Sequence, residues 1–222
     1  MIKKTGRTQE ERSRKTKICL FEATLDSLEE LGYHGASLSQ ILKRAGVSRG
    51  AWSHHFTNKK ELIARSTEYI LDQAVETTRR WAGSVEITKD KLQKLFDFIW
   101  DNFYTGRHRA VWLEINVACR TDTELRKRLT PVFEHFHESM KEAWNNWFDA
   151  TENGKTESGK TDVETVIILA INTLRGMAVQ SIVQDDPEYY RQMRCELIRM
   201  ISPLIRVQAY KHIRVAEKNE EA

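Results

Sequence analysis

Ser37–Leu62, SLSQILKRAGVSRGAWSHHFTNKKEL, is the stretch that decides the fold. Its spacing predicts two short helices crossing at a tight turn, then the start of a third. Ser37 stands where an N-cap is needed, and Gln40 three residues on completes a capping-box pattern. Ile41, Leu42 and Ala45 supply the apolar positions. Gly46 follows, where a helix end favours a left-handed residue without a Cβ. Ser48 can cap the second helix, predicted over 48–56. Trp52 and Phe56 lie at i, i+4 and share an inward face. Gly50, Ser53 and His54 then look outward, with Arg49 at the edge. A short helix offering small, polar and basic groups from its N-terminal half suits a reader of the DNA major groove. An ordinary corner in an all-helical core would carry the same Ala45-Gly46-Val47-Ser48 turn. Asn58 and Glu61 form a further capping-box pattern, with Lys59 and Lys60 in the first turn. Lysines there oppose the helix dipole, and a phosphate held at that N-terminus would reverse the sign.

The charge is unevenly placed. Residues 1–60 hold twelve Lys/Arg against six Asp/Glu, a net +6 in a chain of net +3, so the rest carries −3. A basic N-terminal module on a mildly acidic body fits a nucleic-acid reader with a second domain, although a solvated basic face gives the same asymmetry. The 222 residues suffice for one large or two small domains, and 40% apolar with 30% charged residues describes a soluble globular chain. The longest aliphatic run, Val166–Ile171, is far short of the ~20 residues that span a bilayer. No signal peptide is visible behind the basic start. Cys19, Cys119 and Cys195 are widely spaced and odd in number, so buried free thiols in a reducing compartment are expected. Together these features predict a cytoplasmic protein.

Outward from the central stretch, residues 1–9 are expected to be disordered. Lys3, Lys4 and Arg7 there form either a minor-groove arm or a solubilising tail. A helix is predicted over 10–31 with Ile18, Phe21, Leu25 and Leu28 as its buried stripe, ending at a turn bracketed by Gly32 and Gly35. Helices follow over 58–81, 89–104 and 107–120. A long segment over 122–148 carries Leu125, Leu129, Phe133, Phe136, Met140 and Trp144. Pro131 inside it should kink the helix or start a new one with Thr130 as cap. Residues 150–161 read as a polar loop. Thr161 and Glu164 then open a helix to about Val183 that is apolar on more than one face, and Asp186-Pro187 opens the last helix, to about Tyr210, which Pro203 should bend or break. The second-domain helices are therefore expected over 58–215, with a tail at 216–222. The first of the last two helices has surface enough to bury against a second chain or to be central in its own domain.

No catalytic or metal-binding constellation rises above background. His54 and His55 diverge by about 100° on a helix, and His135 and His137 face nearly opposite ways. There is no H-E-x-x-H, phosphate-binding glycine loop or nucleophile elbow. No cofactor and no enzyme activity are therefore expected.

The segment resembles the N-terminal domain of TetR-family transcriptional regulators. The matching residues are Gly32-Tyr33, Ser37, Ala45-Gly46-Val47-Ser48, His55-Phe56 and Asn58-Lys59-Lys60-Glu61-Leu62, over roughly fifty residues. The family usually has Leu-Tyr where this chain has Trp52-Ser53. The tyrosine commonly contacts phosphate, and a serine hydroxyl can do so only if the backbone comes closer. The resemblance implies an all-α fold of about nine helices, with a DNA-binding domain over 1–57 and an effector-binding and dimerisation domain behind it. It implies a homodimer paired through the last two helices, a double-stranded operator and a small-molecule effector, most simply as a repressor; a constitutive or architectural DNA binder without effector and a helical small-molecule-binding protein are the alternatives. On this basis Arg49 is the first candidate for base reading, and Gly50 would allow close backbone approach. Ser37, Ser39, Ser53, His54, His55 and Lys59 would position the DNA backbone. The central aromatics are either core or the wall of a ligand site. Trp100, Phe103, Trp112, Asn116, Phe133, His137 and Met177 are the candidate pocket, with Asn172 a further possible anchor. Ile167, Ile171, Leu174, Ile182, Met193, Leu197 and Ile201 are the candidate dimer face.

Overall fold

The computed structural model describes residues 8–84, 90–145, 148–150 and 163–207. These form nine helices and one short ribbon: α1 Gln9–Gly35, α2 Leu38–Ala45, α3 Arg49–Ser53, α4 Lys59–Ser84, α5 Lys91–Phe103, α6 Gly106–Thr121, α7 Thr123–Asn145, α8 Val163–Gln180 and α9 Pro187–Ile201, with β1 Phe148–Ala150 and β2 Ile205–Val207. The chain is all-α apart from the ribbon, whose strands run antiparallel with Asp149 opposite Arg206. Nothing in the helical periodicity announced that pairing.

Local chemistry explains most helix ends. Thr8 caps α1 in a full capping box, its Oγ1 accepting from the Glu11 amide at 3.2 Å while Glu11 accepts from the Thr8 amide at 3.1 Å. Ser37 and Gln40 form the expected box on α2, and Gly46 ends α2 in the left-handed region at φ 64°. At α4 the box is shifted: Asn58 accepts from the Glu61 amide at 2.9 Å, but the Glu61 carboxylate turns to the amide and hydroxyl of Thr57. Asp186 caps α9 through the Tyr189 amide, with Pro187 in the first turn.

Five expectations need correction. The helix predicted over 10–31 continues to Gly35 across a break at Gly32, whose φ of 67° no L-residue adopts cheaply. Pro131 lies inside α7 without restarting it, and Thr130 is no cap: its hydroxyl donates to the Arg126 carbonyl at 2.9 Å. Pro131 is exposed, so the carbonyl that its missing N–H leaves unpaired can turn to water. The last helix stops at Ile201, ahead of Pro203. Ile18 is 38% exposed while Leu20 is fully buried, because the inner face of α1 is rotated toward Leu20, Thr24 and Ser27. The buried hydroxyls of Thr24 and Ser27 donate to carbonyls one turn back. The three cysteines are free, but half-buried rather than buried. The 150–161 loop with its Thr161 cap (Ala150 apart, in β1), the 1–7 arm, the 216–222 tail and the side chain of Trp144 lie outside the described residues.

Two apolar cores result. The first gathers Leu20, Leu25 and Leu28 of α1, Ile41 of α2, Trp52, Phe56 and the start of α4, and it takes in Val111 and Ile115 of α6 and Leu125 and Leu129 of α7. The second joins α5, α8, α9 and Ile205 of β2, with Phe96, Leu174 and Tyr190 deep inside. The helices α6 and α7 therefore seal the N-terminal core from above, α6 running along α1 and α7 along α4. No helix among the described residues is long and apolar enough to cross a membrane.

Candidate nucleic-acid interface and interior cavity

The outward face of α3 is built by its cap and its buried pair. Ser48 Oγ accepts from the Ala51 amide at 3.1 Å. Trp52 and Phe56 are buried beneath. That rotation leaves Arg49, Gly50, Ser53 and His54 exposed together. Arg49 makes no side-chain ion pair or hydrogen bond among the described residues. A Cβ on Gly50 would meet nothing closer than Ser48 Oγ at 4.0 Å, so no neighbour inside the protein demands glycine there. The Ser53 hydroxyl donates to the Gly50 carbonyl at 2.8 Å. Ser39 is exposed at the start of α2, whereas the Ser37 hydroxyl is engaged with Gln40 as cap. His55 is half-buried. Burial first, then the charges of Lys17 and His54, hold its pKa below the ordinary 6.5, so it brings no charge to this face at neutral pH.

Lys59 does not join that face. Its Nζ donates to the Tyr33 carbonyl at 3.0 Å and lies 4.8 Å from the centre of the Tyr33 ring. Desolvation lowers its pKa. In the first turn of α4, Lys60 pairs with Asp122 at 3.0 Å and Glu124 at 2.9 Å.

Those residues belong to a joint between the α1–α3 unit and the rest. At the Gly32 break, Glu114 of α6 accepts from the Tyr33 amide at 2.8 Å. A Cβ on Gly32 would stand 2.9 Å from Glu114 Oε2. The Tyr33 hydroxyl donates to Asp122 at 2.7 Å, and burial chiefly, then Asp122, raises the Tyr33 pKa. Asp122 also caps α7 through the Leu125 amide. That amide first, then Tyr33 and Lys60, pulls the Asp122 pKa down to about 2. Arg107 of α6 pairs with Glu22 of α1 at 2.7 Å. Sequence spacing marked Gly32-Tyr33 but held no signal for Glu114 or Asp122, which are some eighty residues away.

Behind the joint lies a cavity of about 670 Å³, walled by α4 to α8. Phe103, Trp112, Asn116, Phe133 and His137 line it, as does Asn172. Trp100 and Met177 do not. Trp100 stacks on Tyr190 at 5.8 Å under the Arg194 guanidinium, and Met177 packs into the second core, because each faces α9 or the core interior rather than α6. Several polar liners escaped the stripe reading, Tyr104, His108 and Arg175 among them. A lone arginine inside the apolar run of α8 was the available signal. Among the described residues no group of three or more His, Cys, Asp or Glu could hold a metal ion.

The candidate dimer residues divide. Ile182 is exposed. Leu174 is fully buried, and Ile167 and Ile201 nearly so, in their own chain, because these sides of α8 and α9 pack with α5 in the second core. Ile171 lines the cavity, and Met193 and Leu197 pack against the second core. The exposed apolar side chains of α8 and α9 include Ile168, Leu169, Val179, Tyr189 and Met200, with Ile182 and Val183 just beyond the end of α8.

An exposed, capped recognition-type helix on a small helical unit, joined to a cavity-bearing helical body, defines a helix–turn–helix DNA-binding regulator. The comparisons agree. Residues 20–65 match the bacterial regulatory proteins, tetR family. The HTH-type transcriptional regulator CymR of Pseudomonas putida is 31% identical over 188 residues, covering 85% of this chain and 90% of that protein. A transcriptional regulator of Rhodococcus sp. Rha1 superposes with a TM-score of 0.61 at 24% identity over 85% of this chain and 97% of that one. FadR of Bacillus subtilis, solved in complex with stearoyl-CoA, has the same fold at a TM-score of 0.61 and 17% identity, covering 83% of this chain and 96% of that one. The chain belongs to the TetR family of DNA-binding transcriptional regulators, which are not enzymes.

Proposed function

We propose that this protein is a cytoplasmic, homodimeric repressor that a small effector releases from a palindromic operator. The observation that carries the effector part is the double duty of α6. Trp112, Ile115 and Asn116 wall the cavity, while Glu114 of the same helix holds the Gly32–Tyr33 break. A ligand that shifts α6 therefore acts on the α1–α3 unit directly, and differential affinity for the two positions of α6 is what an effector would supply. The stearoyl-CoA bound to Bacillus subtilis FadR supports a ligand-carrying role for this architecture. Pairing through the outer face of α8 and α9 is supported by Leu169, Val179 and Val183, with Gly176 among them in open space. Two copies would present α3 to successive major grooves about 34–36 Å apart. Arg49 is then the base-reading residue, beside Gly50, Ser53, His54 and Ser39.

The test is selection of bound duplexes from a random pool at near-physiological salt. A palindrome is expected. Arg49→Ala should relax preference at one position per half-site, at about 1–3 kcal/mol. A uniform loss over all duplexes would make Arg49 a phosphate contact, and no enriched sequence would defeat the operator-reader proposal.

A further inference from the structure

The cavity wall holds a fixed positive charge that no carboxylate pairs with among the described residues. Arg175 of α8 is half-buried in its wall. Its Nε donates to the Tyr104 hydroxyl at 3.1 Å and its Nη1 to Asn172 Oδ1 at 3.2 Å. Both acceptors are neutral, and no carboxylate pairs with Arg175 among the described residues. Its carbon Cζ lies 5.8 Å from the centre of the Trp112 ring. Tyr104 is buried, and its hydroxyl, while accepting from Arg175, has no acceptor for its own proton among the described residues. Two donors, Nη2 of Arg175 and the Tyr104 O–H, are thus left side by side at one place in the wall. Most of the remaining wall is apolar: Ile99, Phe103, Val111, Ile115 and Phe133.

We propose that the effector is an amphipathic organic acid whose carboxylate is received by Arg175 and Tyr104 and whose apolar body fills the space beside α5 and α6. The proposal rests on the effector function proposed above. A half-buried guanidinium without a counter-charge carries a desolvation cost that a bound carboxylate offsets through charge-assisted hydrogen bonds. The other charged liners do not compete. Lys141 pairs with Glu164 at 3.2 Å, and Glu138 is exposed to water. His108 and His137 add no charge at neutral pH: burial first, then Arg107 for one and Arg175 for the other, holds each below 6.5. The volume falls within the range of small-molecule sites, ~300–1,000 Å³, so one compact ligand fits.

The experiment is calorimetric titration of the full chain with octanoate and phenylbutyrate, each beside its primary amide. The acid is expected to bind at least about tenfold more tightly than the amide, the loss of a charge-assisted contact. Arg175→Gln should erase that difference, Arg175→Lys should keep part of it, and Tyr104→Phe should weaken the acid alone. Amides binding as tightly as acids would overturn the carboxylate receptor while leaving the effector cavity standing. Binding of no probe, by protein that still selects its operator, would overturn both. The acid–amide comparison on unmodified protein decides the matter even if a variant fails to fold.

Discussion

The two sides of α6 and α7 are built differently. Toward α1, they meet the DNA-reading unit through donors and acceptors at fixed positions: Glu114 on the Tyr33 amide, Asp122 on the Tyr33 hydroxyl, Arg107 on Glu22. Toward α5 and α8, the same two helices turn Trp112, Asn116, Phe133 and His137 to a cavity. Hydrogen bonds fix direction, whereas an apolar cavity tolerates several arrangements of its walls. Under the proposed effector reading, the difference teaches where a signal would enter and where it would leave: the cavity walls would shift, and the hydrogen bonds on the α1 side would carry that shift to α1–α3.

The largest expected effects test whether the first core extends into α6 and α7. Leu125→Ala and Leu174→Ala each remove a fully buried side chain, one from each core, and each should cost about 2–5 kcal/mol in a denaturant melt. Only Leu125→Ala should also weaken DNA binding by folded protein. Equal DNA binding by the two variants would separate α7 from the reading unit. Next is Asp122→Ala, which removes the α7 cap and the acceptor for Tyr33 and Lys60, for about 2–3 kcal/mol by the same melt. Asp122 also predicts a pH dependence. Its folded pKa of about 2 lies below its ordinary 3.8, so its stabilisation is complete above that ordinary value and is lost as pH falls through about 2. In acid melts Asp122→Asn should therefore flatten the loss between about pH 4 and pH 2; an unchanged slope would remove Asp122 from the joint. Gly32→Ala forces an L-residue into the left-handed region against Glu114, with an expected cost of about 1–2 kcal/mol. Its effect on operator affinity should exceed that of Gly106→Ala, a second left-handed glycine, at the start of α6, where a Cβ would meet nothing within 4 Å. Ser48→Ala is the smallest, about 1 kcal/mol for a lost cap, read as fraying of α3 by amide exchange.

What the sequence revealed follows the range of the interaction. Ser37, Gly46 and Ser48 were legible because a cap or a left-handed turn is settled within four residues. The family pattern over Gly32–Leu62 was legible for the same reason. Helical spacing marked Phe103, Trp112 and Trp100 as inward-facing, and Met177 was named with them as a pocket candidate, yet a stripe does not say what it faces. Two of these line the cavity and two pack into core. Lys59 looked like a phosphate contact because its partner, the Tyr33 carbonyl, is twenty-six positions back. Pro131 looked like a break because a lost N–H is visible in sequence, while the solvent that accommodates it is not.

The β1–β2 ribbon has a kinetic consequence. By joining 148–150 to 205–207 it closes a ring of about 60 residues that contains both α8 and α9, so neither helix can leave the body without opening the ring or carrying the other along. Exchange of amide protons across the two helices should then follow a single shared opening, and a partner docked on Val183 would slow exchange at Met200 as much as at its own contact.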